Sequence, residues 1–225
     1  MTNNKPFAQA YRESRNKIEA VLSEHKGDFK EIIVPGSPEW SVHDVVAHLA
    51  GILDDISHGI VEGVGSKEWT AVQVQKRKGS DTFEVLNEWN SLSPQFEEGL
   101  DALGRMGKLS VMDVVTHEFD ICGALQVQCE KDTSRLDIAF DFIVNGVVHS
   151  AIKKGITVGV IAGEEYGNTV EGPVLEASKF DAFRALTGRR SEAQILSMNW
   201  EGDPKMALPA LNFGPFSPSL TDVFD

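Results

Sequence analysis

The chain has 225 residues, enough for one large domain or two small ones, and its 41% hydrophobic and 24% charged content is that of an ordinary globular protein. A formal net charge of -13, from 34 acidic against 21 basic residues, repels phosphate backbones and argues against nucleic-acid binding. No stretch approaches the roughly 20 apolar residues of a membrane span, and the polar N-terminal run "MTNNKPFAQAYRESRNK" has no apolar signal core, so a cytoplasmic protein is expected.

Phe7, Ala10, Tyr11, Ile18, Val21 and Leu22 recur at helical spacing and predict a first helix from about Pro6 to His25. "VPGSPEW" reads as a loop, with its prolines and glycine. Ser41 then caps a second helix, with Asp44 as the capping-box acid, running toward Gly59–Gly65. "KEWTAVQVQKRKGS" is ambiguous and is a candidate mobile segment, and its basic run "QKRKG" reads as a solvated loop. Asp81 caps a third helix through Phe83, Leu86, Trp89, Leu92 and Phe96 to about Leu103, with Pro94 an irregularity in it. Ser110 or its neighbours start a fourth, and a fifth spans about Ser134 to Lys153. On a continuous helix Cys122 and Cys129 would stand roughly 10 Å apart, too far for a disulfide, so two unpaired thiols are expected.

After Gly155 the texture changes. "GITVGVIAG" is β-branched and glycine-bounded like a strand, and "NTVEGPVLEAS" predicts another. "KFDAFRALTGRRS" reads as a helix stopped by Gly188, "EAQILSMNW" as a short helix or turn, and the proline-rich tail as extended. The expected fold class is mainly α: a helical bundle over residues 1–154, then a small α+β domain over 155–225.

His48 falls where the second helix asks for an apolar residue. Val45, Leu49, Ile52 and Ile56 make one stripe, and His48, three after Val45 and four before Ile52, points inward with it. A neutral core histidine would answer that pattern as well as a ligand would. In the fourth helix, Asp113 and His117 are four apart and share a face. Alone they could be no more than a surface hydrogen bond. Together, His48, Asp113 and His117 offer two imidazole nitrogens and a carboxylate from two helices, a donor set suited to zinc or another borderline ion such as nickel. Three protein ligands leave a coordination position open, the pattern of a catalytic site. Asp120 or Glu118 is the expected partner for the other ring nitrogen of His117. His43 is expected to be exposed in the first helical turn, His25 to lie at a helix end, and His58 and His149 are only reserves.

With these residues in view, "PEWSVHDVVAHLAG" and "DVVTHEFDICGAL" resemble the two metal-binding segments of the mycothiol-dependent maleylpyruvate isomerase family, and "FRALTGRRSEAQILSMNWEGDP" resembles a C-terminal segment of its members. The blocks occur in the family's order. The resemblance implies a DinB-like four-helix N-terminal domain, metal ligands at His48, Asp113 and His117, and a functional arginine at Arg189 or Arg190. The isomerases of this family carry glutamate where this chain has Asp113, a shorter ligand that bears on metal geometry and on the isomerase activity itself.

The implied cofactors are a divalent metal and mycothiol, and the implied activity is addition of a metal-activated thiolate to an electrophilic small molecule, as an isomerase or S-transferase. The arginine pair would hold a carboxylate of an organic-acid substrate. Two other readings stand beside this one: a non-catalytic metal-binding or regulatory bundle, and a metal-dependent hydrolase. A monomer or a homodimer would fit each.

Overall fold

The computed structural model describes residues 5–225 and divides at Cys129/Glu130 into two compact units, with Asp225 grouped with the first. In the first unit, α1 (Pro6–Glu24) is followed by a two-stranded hairpin, β1 (Ile33–Val34) and β2 (Ser37–Ser41), and then by α2 (Val42–Ser57), α3 (Lys67–Arg77), α4 (Thr82–Leu100) and α5 (Arg105–Ala124). Helices α1, α2, α4 and α5 form the bundle, α1 against α4 and α5 and α2 against α4 and α5, while α3 lies on α2. Tyr11, Ile18 and Leu22 of α1, Val45 and Leu49 of α2, Trp89 of α4 and Val114 of α5 are all buried, so the stripes read from the sequence do meet in one core. The Trp89 Nε1–H donates to the Tyr11 hydroxyl at 3.0 Å, which satisfies the indole at full burial. Burial in turn pushes the Tyr11 phenol well above its ordinary pKa.

Local signals set most boundaries. Ser41 and Asp44 form the capping box of α2, and Asp81 and Glu84 that of α4. Helix α4 continues through Pro94. Helix α5 begins at Arg105, five residues before Ser110, because Gly104 at φ +55° makes the reversal out of the α4 end. "VPGSPEW" is the hairpin and not an open loop: β1 pairs antiparallel with β2 around Pro35 and Gly36.

"KEWTAVQVQKRKGS" contains α3, whose Trp69, Gln73 and Arg77 are buried at four-residue spacing against α2. Gly51 of α2 allows this approach, since a Cβ there would lie 2.5 Å from Gln73 Cβ. The basic run is therefore not a solvated loop: Arg77 is buried and its guanidinium donates to Glu88 and Asp54. Cys122 and Cys129 are joined, with Cα atoms 6.2 Å apart, within disulfide reach. The seven-residue spacing is not helical, because α5 ends in a Schellman turn: Val127 N–H donates to Cys122 O, Gln126 N–H donates to Gly123 O, and Gln126 sits at φ +55°.

The second unit holds α6 (Ser134–Lys153), β3 (Gly159–Ile161), β4 (Glu165–Gly167), β5 (Val174–Glu176), α7 (Lys179–Leu186), α8 (Glu192–Leu196), β6 (Trp200–Glu201) and α9 (Leu208–Leu211). The sheet order is β4-β3-β5-β6, with β3 and β5 parallel and the outer pairs antiparallel. Helix α6 packs on α7, α9 and β4, so it belongs with the α+β unit, whereas the sequence reading closed the bundle after residue 154. Its buried face, Leu136, Phe140, Ile143, Val144 and Val147, is as apolar as a bundle face, and periodicity alone does not say which partner it covers. Gly188 stops α7 at φ +77°, with Ser217 O only 2.4 Å from where a Cβ would be. The proline-rich tail is extended only in part, since it contains α9. The fold is thus mainly α, with a C-terminal α+β part. No helix among the described residues is long and apolar enough to cross a membrane.

Candidate metal centre

The Ser41/Asp44 capping box starts α2, and His48 lies among the buried residues of that helix. His48 is 4% exposed and faces α5, where Asp113 and His117 stand one turn apart. One ligand atom from each of His48, Asp113 and His117 lies within 4.8 Å of the other two, a group that could hold a metal ion. The Asp113 oxygens stand 3.7 Å from His48 Nε2 and 3.8 Å from His117 Nε2. Those separations are too long for hydrogen bonds. They fall within the roughly 4.2 Å that two donors can span on one ion with bonds of about 2.1 Å. The plain Asp113–His117 hydrogen bond that would compete with ligation is therefore not what the geometry shows.

Each ring has a partner behind it. His48 Nδ1 is 2.8 Å from Gln73 Oε1, and His117 Nδ1 is 3.1 Å from Asp120 Oδ2. An acceptor on Nδ1 places the proton there and leaves the Nε2 lone pair for the centre, the arrangement that histidine ligands require. Of the two acids weighed for His117, Asp120 makes this contact, while Glu118 is buried elsewhere on the turn. Gln73 Nε2 donates in turn to Asp55 Oδ2 at 2.6 Å.

Trp40, at the end of β2, covers one side of the group. Its ring centroid is 5.0 Å from that of His48 and 6.0 Å from that of His117, and the two imidazoles meet edge to face at 5.3 Å. Asp113 is the most exposed of the three, with 30% of its side chain accessible against 6% for each histidine. The centre is walled by aromatic rings and open to solvent on the carboxylate side.

Beside it, α3 is held by charge. Lys76 Nζ and Arg77 Nη2 both reach Asp54 Oδ2, at 2.5 and 3.0 Å. Burial works to raise the Asp54 pKa, but the hydrogen bonds and charges of Lys76 and Arg77 outweigh it and hold the carboxyl below its ordinary value. Arg77 is likewise shifted up, its desolvation outweighed by Glu88 and Asp54.

The remaining histidines lie outside the group. His43 is 1% exposed, contrary to the expected exposure: its Nδ1 pairs with Thr82 Oγ1 at 2.9 Å and its Nε2 with Arg77 O at 3.2 Å, because α4 and the end of α3 cover the start of α2. His58 caps the end of α2, largely exposed, and contacts Asp54. His149 is exposed on α6. Arg189 and Arg190 belong to the second unit. Arg189 is buried and donates to Thr187 O at 2.7 Å. Arg190 lines a cleft of about 560 Å³ together with Asp181, Glu176 and Asp222, and its Nη2 is 4.0 Å from Asp181 Oδ1.

Gln73, Asp55 and Trp40 were not singled out from the sequence. The signal available for Gln73 was the stripe Trp69, Gln73, Arg77, too short and too polar to stand out from a loop.

No family model matches the sequence, and no curated protein matches it. Among solved structures, the chain is similar to a crystal structure of a histidine-to-alanine mutant of mycothiol-dependent maleylpyruvate isomerase, with a TM-score of 0.57 at 12% identity over 81% of this chain and 88% of that one. At that identity the likeness is one of fold.

Proposed function

We propose that this protein is a metal-dependent enzyme that uses a low-molecular-weight thiol, mycothiol in the first instance, to act on an electrophilic small molecule as an isomerase or S-transferase. The observation that carries this reading is the donor set itself: His48, Asp113 and His117 converge, and both imidazoles are held from behind by acceptors. The fold likeness to a mycothiol-dependent isomerase supplies the thiol. A divalent ion held there, zinc by preference and nickel as the next choice, would deliver a coordinated thiol as its thiolate at neutral pH.

The chain's own residues do the rest. Gln73 and Asp120 keep the two rings oriented with Nε2 inward. Trp40 shields the histidine side from water, which strengthens electrostatic interactions there. Asp113, on the accessible side, leaves room for thiol and substrate to enter. Arg189 and Arg190 are the candidates for holding a substrate carboxylate. Arg190 shares its cleft with Glu176, Asp181 and Asp222.

The test is metal content per chain by elemental mass spectrometry, followed by turnover of an electrophile panel with mycothiol. Near one ion per wild-type chain, lost in His48→Ala, with thiol-dependent turnover, is the expected result. Unchanged metal content in His48→Ala refutes the ligand set.

A further inference from the structure

Gln73 stands between His48 and a residue that never touches the centre. Its Nε2 donates to Asp55 Oδ2 at 2.6 Å, and its Oε1 faces His48 Nδ1 at 2.8 Å. A carboxylate only accepts hydrogen bonds, so the amide nitrogen of Gln73 must face Asp55 and its carbonyl must face the ring. A carbonyl also only accepts, so His48 Nδ1 must carry the proton. In a neutral imidazole that leaves the lone pair on Nε2, the atom that looks toward Asp113 at 3.7 Å.

The relay is held by its surroundings. Gln73 is 1% exposed, and Gly51 lets its side chain sit close against α2. Asp54, next to Asp55 in the chain, anchors Lys76 and Arg77 on the same side of α3. The two adjacent aspartates thus divide the work, Asp54 fixing the helix and Asp55 fixing one amide upon it.

We infer that Asp55, acting through Gln73, is a positioning residue that locks His48 in the Nδ1–H tautomer and so presents Nε2 to a metal. The metal part of this inference rests on the proposed function. The tautomer part rests on geometry alone. The two rings are backed unequally, His48 by a neutral amide and His117 by a carboxylate. Without Asp55, the Gln73 amide can turn over and offer its N–H₂ to Nδ1. That would favour the Nε2–H tautomer, which cannot ligate through Nε2.

The experiment uses the full chain, stripped of metal and ¹⁵N-labelled, at about pH 8, where imidazole is neutral. Long-range ¹H–¹⁵N correlations report the tautomer of His48, and competition with a chromophoric chelator reports zinc affinity. In the wild type, Nδ1 is expected to be the protonated nitrogen. In Asp55→Ala the two nitrogens are expected to average or exchange roles, and zinc affinity to fall about tenfold or more, the scale of lost outer partners. Asp55→Asn, whose amide can donate as well as accept, no longer dictates which way the Gln73 amide faces and should lose part of both. Gln73→Leu removes the acceptor outright and should match Asp55→Ala in both readouts, while melting of the stripped proteins confirms that each variant is folded.

A wild-type His48 protonated on Nε2, or an Asp55→Ala variant unchanged in tautomer and zinc affinity, overturns the relay. If the tautomers behave as stated but the wild type binds no zinc, the relay stands and the metal reading falls. If zinc binds equally to the wild type and Asp55→Ala, the metal reading stands and the relay falls.

Discussion

His48 and His117 look alike in the sequence, each a histidine on the buried face of an amphipathic helix. They differ in what stands behind them. His117 has the Asp120 carboxylate on its Nδ1 where His48 has the neutral Gln73 amide, and losing such a partner from a metal-ligating histidine typically costs ten- to a hundredfold in metal affinity. Asp120→Asn keeps shape and an acceptor but loses the charge, so about a tenfold loss in zinc affinity is expected, measured by chelator competition, with melting unchanged to within a few degrees. A full loss of folding would mean that the Asp120 charge serves packing instead. Much of the site at this scale was legible: the i, i+4 pair and the inward histidine follow from the helical period. The partner of His117 was narrowed to two acids by adjacency. Gln73 was out of reach, because nothing local links residue 73 to residue 48.

Helix α3 is where local signals were weakest and tertiary ones strongest. Its exposed face carries Val72 and its buried face carries Gln73 and Arg77, the reverse of what a hydrophobic pattern announces. Its docking depends on space at Gly51 and on the Asp54 charge. Gly51→Ala puts a Cβ 2.5 Å from Gln73 Cβ, so the helix must move, at an expected cost of about 1–3 kcal/mol by chemical denaturation. The same variant should bind metal less tightly, because the move carries Gln73 away from His48. Unchanged stability would show that α3 shifts freely and is not positioned by α2.

Asp54 adds a pH dependence to this element. Its carboxyl titrates lower in the folded chain than in the unfolded one, where about 3.9 is usual. The Lys76–Asp54–Arg77 cluster therefore stabilises the fold above that value, and the contribution is lost as pH falls through the lower folded value. Melting of the wild type should fall more steeply below about pH 4 than melting of Asp54→Asn. Parallel curves for the two proteins would show that the cluster contributes nothing net.

At the scale of the whole molecule, the chain is a mainly α protein with a C-terminal α+β part, and its fold resembles that of a mycothiol-dependent isomerase at 12% identity. Both imidazoles of the group are already held by protein hydrogen bonds, so the bundle is expected to fold without a metal. Chelator treatment should therefore lower the melting temperature by only a few degrees, unlike a structural zinc site whose binding energy is folding energy. Collapse on chelation would make the metal structural and favour the non-catalytic reading.

What the sequence determined by itself was local in origin. The caps at Ser41 and Asp81, the helical stripes and the i, i+4 spacing of Asp113 and His117 depend on residues within a turn or two of one another, and each is written in the chain at that distance. The tertiary structure decided everything that required two distant segments to meet. The α3 approach over Gly51 brings residue 73 to residue 48. The cover over His43, the return of Cys129 to Cys122 around Gln126, and the grouping of α6 with the sheet are of the same kind. A buried polar group is stable only where a partner reaches it, and which partner that is depends on packing between elements, which no periodicity within one element contains.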